Sequence, residues 1–397
     1  MEPVDLWHRA VIGAALGLSC AAGCAAAWQE VRAIGGVGVA QQAPQAPTPP
    51  AAPPPTPVRA AGIAAGPYHT CAWGEGVVRC WGPACGRALR GLSRACSHDG
   101  QPLRDVAQLT WTESDAGVVG ELCALRGDGS VWCWSADDDP DRPTRRALPP
   151  VTRIAAGSSD TCALLASGRV RCWGRAPLGD AVNEFEAPVA GATSLEARAD
   201  VACAGARGGA FSCWRAQHAD ASPLDVARGA DAVVIGQEHS YVDASLRYGL
   251  RTLDEGGTWC VLRAGAPSCW GANREATVGD GTASPRDRPV PVAFEDGPPL
   301  GEVVSLAIGL NRACAATRDG SVACWGSLGG GPSAPRSRAR PQWVTGPRGV
   351  VEVVAGYNHA CARGGDGAVW CWGANRGGVL GAGAASRDED EPVPLAR

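Results

Sequence analysis

Cysteines are the residues of this chain whose type and spacing point to chemistry. Seven pairs stand nine or ten residues apart, each with a tryptophan after its second cysteine. The pairs are Cys71–Cys80, Cys123–Cys133, Cys162–Cys172, Cys203–Cys213, Cys260–Cys269, Cys314–Cys324 and Cys361–Cys371. Such pairs can be disulfides, buried free thiols or zinc ligands. Zinc sites usually bring two cysteines two to four residues apart, so the spacing favours disulfides and leaves free thiols as the alternative.

The spacing also predicts the geometry of each pair. Between Cys162 and Cys172 the midpoint is a residue, Ser167, whereas between Cys260 and Cys269 it falls inside Ala264–Gly265. Both arrangements place the cysteines opposite each other in a β-hairpin, with turns of odd and even length. Opposed strand residues lie about 4.5–5.5 Å apart, within reach of a disulfide. So many disulfides predict an oxidising, extracytoplasmic compartment.

Candidate catalytic residues are few, because the chain has only six histidines. His69 and His359 stand at equivalent places in the repeat, which favours a role in packing or in a local hydrogen bond. The remaining candidates are His8, His98, His218 and the acid–histidine cluster Glu238-His239 near Asp243 and Asp254. That cluster is interpreted as a remnant of the repeat. No nucleophile elbow, phosphate loop or metal-binding helix motif occurs, so the sequence predicts no enzyme, no cofactor and no metal site.

Short strands must position these cysteine pairs. In residues 154–174, three short apolar runs are separated by Gly157 and by a turn at Ser167–Gly168, which is a hairpin signal. A unit that recurs every few tens of residues indicates a solenoid, an array or a propeller. Seven units lie within the usual range of blades of a closed β-propeller. The sequence therefore predicts an all-β, seven-bladed β-propeller.

The first residues resemble a bacterial export signal. An apolar stretch from Ala10 to Leu18 is too short to span a bilayer, and small residues lead to Cys24. Residues 1–24 are thus predicted to be a signal peptide with a possible lipobox and Cys24 as the lipidated residue. Cys20 is a poorer candidate, and a plain secretory signal cleaved near Ala25–Ala27 is the alternative. Residues 25–57 are predicted to be a Pro/Ala-rich linker, semi-rigid in its Pro-rich part, before a propeller at 58–397.

The number of cysteines is even, so the cysteines outside the seven repeat pairs can also be assigned. Cys85 and Cys96 can form an eighth disulfide within one insertion, which leaves only Cys20 and Cys24 outside pairs.

The net charge is −4, and all 36 basic residues are arginines. They are scattered except at Arg336, Arg338 and Arg340, so a basic stripe for nucleic acid is missing. That loop and the acidic run 388–391 are interpreted as ordinary solvated surface.

The repeat resembles that of the regulator of chromosome condensation family. The resemblance rests on VVEVVAGYNHACA at 350–362, DGAVWCWGAN at 366–375, GVLGAG at 378–383 and PVPL at 392–395, and again on WGAN at 270–273, GDGT at 279–282 and PVPV at 289–292. It implies four-stranded blades, and the cysteine-paired form looks like a secreted bacterial branch. Members of this family act as a nucleotide exchanger on chromatin, a light sensor and secreted protein inhibitors. What they share implies protein binding through loops on one face of the disc.

Departures from the repeat predict irregular blades. Arg198 stands where Gly157 stands in its own unit, and residues 83–109 and 241–258 are interpreted as insertions or degenerate stretches of the repeat. Blades two, four and five are therefore predicted to be the least regular. The terminal fragments around Val58 and Leu395 read as two halves of one junction, which predicts that N- and C-terminal strands pair in a shared blade.

The sequence thus predicts a monomeric, extracytoplasmic scaffold that binds an unidentified protein and touches a membrane only through a lipid anchor. A carbohydrate-binding or hydrolytic cell-envelope propeller is the alternative.

Overall fold

In a computed structural model the chain forms seven antiparallel sheets around one axis. The structure describes residues 59–82, 97–98, 101–102, 104–113, 119–135, 143–175, 182–215, 221–236, 257–327, 338–381 and 388–395. All of them belong to one unit, Pro54–Arg397. The predicted all-β propeller with seven blades is confirmed.

Each blade runs from the axis outward as an inner, a second, a third and an outer strand. The inner strands are β1 (Gly62–Gly66), β6 (Val106–Glu113), β10 (Val151–Ala156), β14 (Ala192–Arg198), β18 (Ala232–Ile235), β22 (Val303–Ile308) and β26 (Val350–Ala355). The second strands are β2 (His69–Gly74), β7 (Val119–Arg126), β11 (Asp160–Leu165), β15 (Val201–Ala206), β19 (Thr258–Arg263), β23 (Arg312–Thr317) and β27 (His359–Gly364).

The third strands carry the second cysteine of each pair. They are β3 (Val77–Trp81), β8 (Val131–Ser135), β12 (Val170–Arg175), β16 (Ala210–Arg215), β20 (Ala266–Gly271), β24 (Val322–Gly326) and β28 (Val369–Gly373). The outer strands are β9 (Thr144–Arg145), β13 (Val182–Glu186), β17 (Ser222–Pro223), β21 (Arg286–Pro291), β25 (Arg338–Trp343) and β29 (Glu389–Pro394). A separate two-stranded sheet holds β4 (Ser97–His98) and β5 (Gln101–Pro102), and two 3₁₀ turns span Asp225–Ala227 and Arg376–Gly378.

Six blades are four-stranded as predicted, and blade 1 has three strands among the described residues. Blades 2 and 4 end in two-residue outer strands, and blade 5 has the shortest inner strand, which agrees with their predicted irregularity. The insertion predicted at 83–109 ends too late, because Val106 to Leu109 lie in β6. In this blade Thr112 occupies the place of the repeat glycine, so the strand was not recognisable by its usual ending.

The seven disulfides follow the predicted spacing. Each joins directly opposed residues of a second and a third strand, with Cα atoms 4.0–4.1 Å apart. Where the spacing is nine, the turn has two residues with positive φ, as at Ala264 (49°) and Gly265 (77°). That backbone is a type I′ turn, whose twist matches the flanking strands. So many disulfides indicate an oxidising environment.

Seven apolar cores lie between blades rather than inside them. The tryptophan after the second cysteine projects from its own blade into the core shared with the preceding blade, as Trp173 does among Cys123 and Leu125, and Trp325 among Cys260 and Leu262. Burying a large apolar side chain contributes about 1.5–3 kcal/mol. These tryptophans therefore hold neighbouring blades together.

The ring closes between blades 7 and 1. β1 contacts β26 just as the other neighbouring inner strands contact each other. The first and last parts of the chain do meet, but the prediction of a shared blade is wrong: β1 pairs with β2, and β29 pairs with β28. They meet through an antiparallel bridge of Arg59 with Ala368 and a 2.7 Å bond from the Ala60 N–H to the Gly367 carbonyl. Because each outer strand follows its own third strand in sequence, blade 7 is complete without borrowing a strand.

Candidate functional site: the central channel and the long-link face

Antiparallel order gives the disc two different faces. Links from inner to second strands and from third to outer strands leave at one face, here called the long-link face. Hairpin turns and the links from each outer strand to the next blade leave at the other, the short-link face. Third-to-outer links such as 272–285 and 374–388 are long, whereas hairpin turns such as Glu75–Gly76 are minimal. Links of variable length therefore collect at one face.

A channel of about 530 Å³ runs along the axis between the inner strands. Small and aliphatic residues form most of its wall, and Arg153, Glu196, Arg198 and Glu352 bring charge into it. This volume lies in the range of ordinary ligand pockets. The channel is thus large enough for a small molecule or a side chain of a partner.

Several polar channel residues serve the fold. The Gln108 amide donates to the Ile154 carbonyl (2.7 Å) and accepts from the Ile154 N–H (3.0 Å). The Ser305 hydroxyl accepts from the Val353 N–H at 3.1 Å. Each of these side chains pairs with the free edge of the next blade's inner strand. An unpaired strand edge is a liability, so these residues protect the ring from inside.

Two of the charged residues that line the channel, Arg153 and Glu196, lie close to each other. Arg153 Nε donates to the Leu195 carbonyl at 2.8 Å, and its Nη2 lies 3.8 Å from Glu196 Oε2. Burial raises the pKa of Glu196, against the opposing effect of Arg153 and Arg198. Glu352 accepts from Arg363 Nε at 2.7 Å. The channel therefore contains both positive and negative side chains, whose charges largely cancel.

In blade 4 the repeat glycine is replaced by Arg198, and the backbone differs there. In blades 3 and 6 this place is Gly157 or Gly309, where an added Cβ would overlap the carbonyl oxygen of Ala199 or Gly356 in the neighbouring link. After Arg198 the backbone diverts through positive φ at Ala199. The Arg198 guanidinium reaches across the ring and donates to the Ala355 carbonyl at 3.3 Å. It therefore narrows the end of the channel at the long-link face.

Around this end, links from several blades join into a rigid mouth. Tyr68 and Tyr357 form an edge-to-face pair with ring centroids 4.8 Å apart. The Asn311 amide donates to Asn358 Oδ1 at 2.7 Å, and the Asn311 N–H donates to the Tyr357 carbonyl at 3.2 Å. Tyr68, Asn311 and Asn358 are half-buried. The mouth thus presents aromatic and amide groups in a fixed arrangement.

His69 and His359 lie beneath the mouth and are buried, as their predicted packing role requires. The Thr70 hydroxyl and His359 Nε2 are 3.0 Å apart, and the His69 ring lies 4.4 Å from the Trp111 ring. Burial lowers the pKa of both histidines to about 3, helped by His359 and Arg198 for His69 and by Arg312 for His359. Both are therefore neutral at physiological pH.

Glu121 occupies the corresponding place in blade 2. It accepts from the Trp173 indole at 2.8 Å and pairs with Arg146, which lies over the Trp173 ring. Glu121, Cys123 and Cys133 are the only group of potential metal ligands in the described part of the chain. Both sulfurs belong to one disulfide, and a metal requires thiolates. This group therefore links blades 2 and 3 rather than holding an ion.

Arg340 and Asp388 lie in the two segments that the sequence suggests are solvated surface, yet both side chains form hydrogen bonds within the fold. Arg340 donates to the carbonyls of Ala293 (3.2 Å) and Phe294 (3.3 Å), so it joins the outer parts of blades 5 and 6. Asp388 accepts from the Asn375 N–H at 2.9 Å, and the acidic run continues into β29. Only the ring geometry brings these partners together.

Several predicted residues lie outside the described ranges. They are Cys20 and Cys24, the pair Cys85–Cys96, Arg336, and the histidine candidates His8, His218 and Glu238-His239 with Asp243 and Asp254; of His98 only the backbone is described. The predicted signal, linker, eighth disulfide and lipidation therefore stay predictions. Where the chain is described, it forms no helix with the length and apolarity of a membrane span.

Comparison with known proteins agrees with this architecture. The sequence profile "Regulator of chromosome condensation (RCC1) repeat" matches residues 151–177 and 350–378. No curated protein matches this sequence. The structure is similar to yeast RCC1 (Prp20) bound to Kap60, with 16% identity, a TM-score of 0.58 and coverage of 84% of this chain and 85% of that one.

Two further structures are similar. Prp20p from Saccharomyces cerevisiae, studied with its binding properties to Gsp1p and histones, has 16% identity, a TM-score of 0.58 and coverage of 84% and 87%. Human WBSCR16 has 15% identity, a TM-score of 0.55 and coverage of 74% and 82%. At such identities the likeness shows the fold, and the repeat match adds the sequence motif. The chain therefore has a seven-bladed propeller fold, in which residues 151–177 and 350–378 match the RCC1 repeat.

Proposed function

We propose that this protein is an extracytoplasmic, membrane-tethered propeller that binds another protein through its long-link face. The observation that carries the proposal is the collection of variable links around a mouth whose backbone is fixed from blade to blade. Rigid scaffolds that present loops of variable length are typical binding surfaces. The mouth offers aromatic and amide groups, which are common in protein interfaces.

The cellular setting of this proposal comes from covalent chemistry. Seven disulfides favour an oxidising compartment. The small residues before Cys24 and the Pro/Ala-rich segment 25–57 support a lipid anchor followed by a spacer. The similar yeast RCC1 (Prp20) is bound to Kap60, so a protein with this fold occurs in a complex with another protein. A scaffold held away from a membrane fits this combination.

Site-specific photo-crosslinking tests the face. A benzophenone amino acid replaces Tyr68 at the mouth, and the matched control replaces Val304, which is 50% exposed at the short-link face. We expect a discrete polypeptide from a cell-envelope extract to crosslink at position 68 and not at position 304. Crosslinking at 304 alone would place the interface on the wrong face. Binding to a glycan array without any crosslinked polypeptide would replace protein binding by the carbohydrate alternative.

A further inference from the structure

One layer of the channel wall carries a charge in a single blade. In every blade, the inner-strand residue that stands opposite the first cysteine lines the channel. In six blades this residue is alanine, valine or threonine; these residues are Ala64, Thr110, Ala155, Val234, Ala307 and Val354. In blade 4 it is Glu196, opposite Cys203. Because six blades build the same ring without a charge here, the fold itself does not require this carboxylate.

Glu196 receives no hydrogen bond from any residue that the structure describes. Its ion pair is with Arg153, whose Nη2 lies 3.8 Å from Oε2, which is too far for a hydrogen bond. A carboxylate that is largely removed from bulk water needs donors for its oxygens. Since 33% of the Glu196 side chain stays accessible and the residue lines the channel, a molecule in the channel can supply those donors.

Arg153 brings a positive group to the same place. Its Nε donates to the Leu195 carbonyl at 2.8 Å, and half of its side chain is exposed. This bond fixes the guanidinium, and within the described ranges its Nη groups have no hydrogen-bond acceptor. A guanidinium can bind a carboxylate through two parallel N–H groups. Arg153 and Glu196 thus place a carboxylate-binding group beside an ammonium-binding group.

A ligand with charge of one sign fits this place poorly. A cation is attracted by Glu196 but repelled by Arg153 and by Arg198, which also lines the channel. An anion is attracted by the guanidinium groups but leaves the Glu196 oxygens without donors. A molecule that carries an ammonium group and a carboxylate on one carbon atom satisfies both side chains at once.

We propose that the channel binds a free α-amino acid with an apolar side chain. Glu196 accepts hydrogen bonds from the α-ammonium group, and the Arg153 guanidinium donates to the α-carboxylate. Alanine and valine residues of the same layer, such as Ala155 and Val234, form the wall for the apolar side chain. The channel volume of about 530 Å³ is ample for such a ligand. This site is distinct from the proposed interface at the long-link face and does not depend on protein binding.

Isothermal titration calorimetry of the full protein with L-leucine tests the site. Two analogues with the same branched skeleton separate the two charges, because isocaproate lacks the ammonium group and isopentylamine lacks the carboxylate. We expect leucine to bind at least about tenfold more tightly than either analogue, since each analogue loses one set of charge-assisted hydrogen bonds.

Substitutions assign each charge of the ligand to a residue. Glu196→Gln should weaken leucine binding about tenfold and remove the preference for leucine over isocaproate. Arg153→Gln should remove the preference for leucine over isopentylamine. The matched control Glu186→Gln alters another glutamate that pairs with an arginine, Arg169, on the outer strand of blade 3. It should leave all three affinities unchanged.

Three outcomes would overturn the proposal. The first is a wild-type protein that does not bind leucine. The second is equal binding of leucine and both analogues, which would show an apolar cavity without recognition of charge. The third is wild-type affinity for leucine in both Glu196→Gln and Arg153→Gln, which would place the ligand elsewhere. Crosslinking at position 68 needs no amino acid, so the long-link interface is judged separately.

Discussion

Lowering the pH should destabilise the fold through two buried histidines. His69 and His359 have pKa values of about 3 in the folded protein, against 6.5 when exposed. A histidine with a lowered folded pKa binds its proton first in the unfolded state. Its contribution to stability is therefore complete above pH 6.5 and is lost as the pH falls toward 3.

The size of the loss follows from the difference in pKa. Between pH 6.5 and 5.0 each histidine loses about 1.4 kcal/mol per pH unit, or about 2 kcal/mol, and both together lose about 4 kcal/mol. Asp128 and Asp319 have lowered pKa values, so their stabilising contribution is present at higher pH and is lost only as the pH falls to about their reference pKa of 3.8 and below. The raised pKa of Glu196 acts in the opposite direction, so a variant is needed to isolate the histidines.

His359→Gln supplies that variant, because its amide can still bond Thr70 but does not titrate in this range. Denaturant unfolding with intact disulfides is measured at pH 7.5 and 5.0 for wild type and variant. We expect the variant to lose about 2 kcal/mol less than wild type over this interval, while Glu196 and the remaining groups cancel in the comparison. Equal losses in the two proteins would refute a buried, neutral His359.

Three further predictions concern covalent structure and packing. Non-reducing mass spectrometry should find the seven hairpin disulfides and an eighth between Cys85 and Cys96; bridges between different repeats would contradict it. Cys24→Ala should move the protein from the membrane to the soluble fraction or block its processing, whereas an unmutated protein that is soluble and carries no lipid would show an ordinary secretory signal. Leu395→Ala, at a fully buried side chain between blades 7 and 1, should cost about 2–5 kcal/mol; the exposed control Val304→Ala should leave the melting temperature nearly unchanged, and equal melting of the two variants would show that Leu395 does not hold this boundary.

Local sequence predicted what local geometry determines. The distance between Cys162 and Cys172 sets the register of a hairpin, so the disulfide, the turn and the two strands follow together. The count of such hairpins then gave the number of blades. The end of the segment 83–109 could not be predicted correctly from the sequence. The inner strand of blade 2 has Thr112 in place of the repeat glycine, so its sequence differs from those of the other inner strands.

Contacts across the ring could not be predicted from the repeat. Arg198 was visible as a departure from glycine, but its bond to the Ala355 carbonyl exists only because blades 4 and 7 face each other across the channel.

Ring closure and the two histidines are connected by chain topology. All seven disulfides lie within blades, so none of them ties one blade to the next. Six blade boundaries are also crossed by the chain itself, but the boundary between blades 7 and 1 is not. It is held by the Arg59–Ala368 bridge, by the core around Leu395 and by the contact of His359 with Thr70. Protonation of His359 therefore acts at the one boundary that no covalent link secures, which makes ring opening the expected first step of acid unfolding.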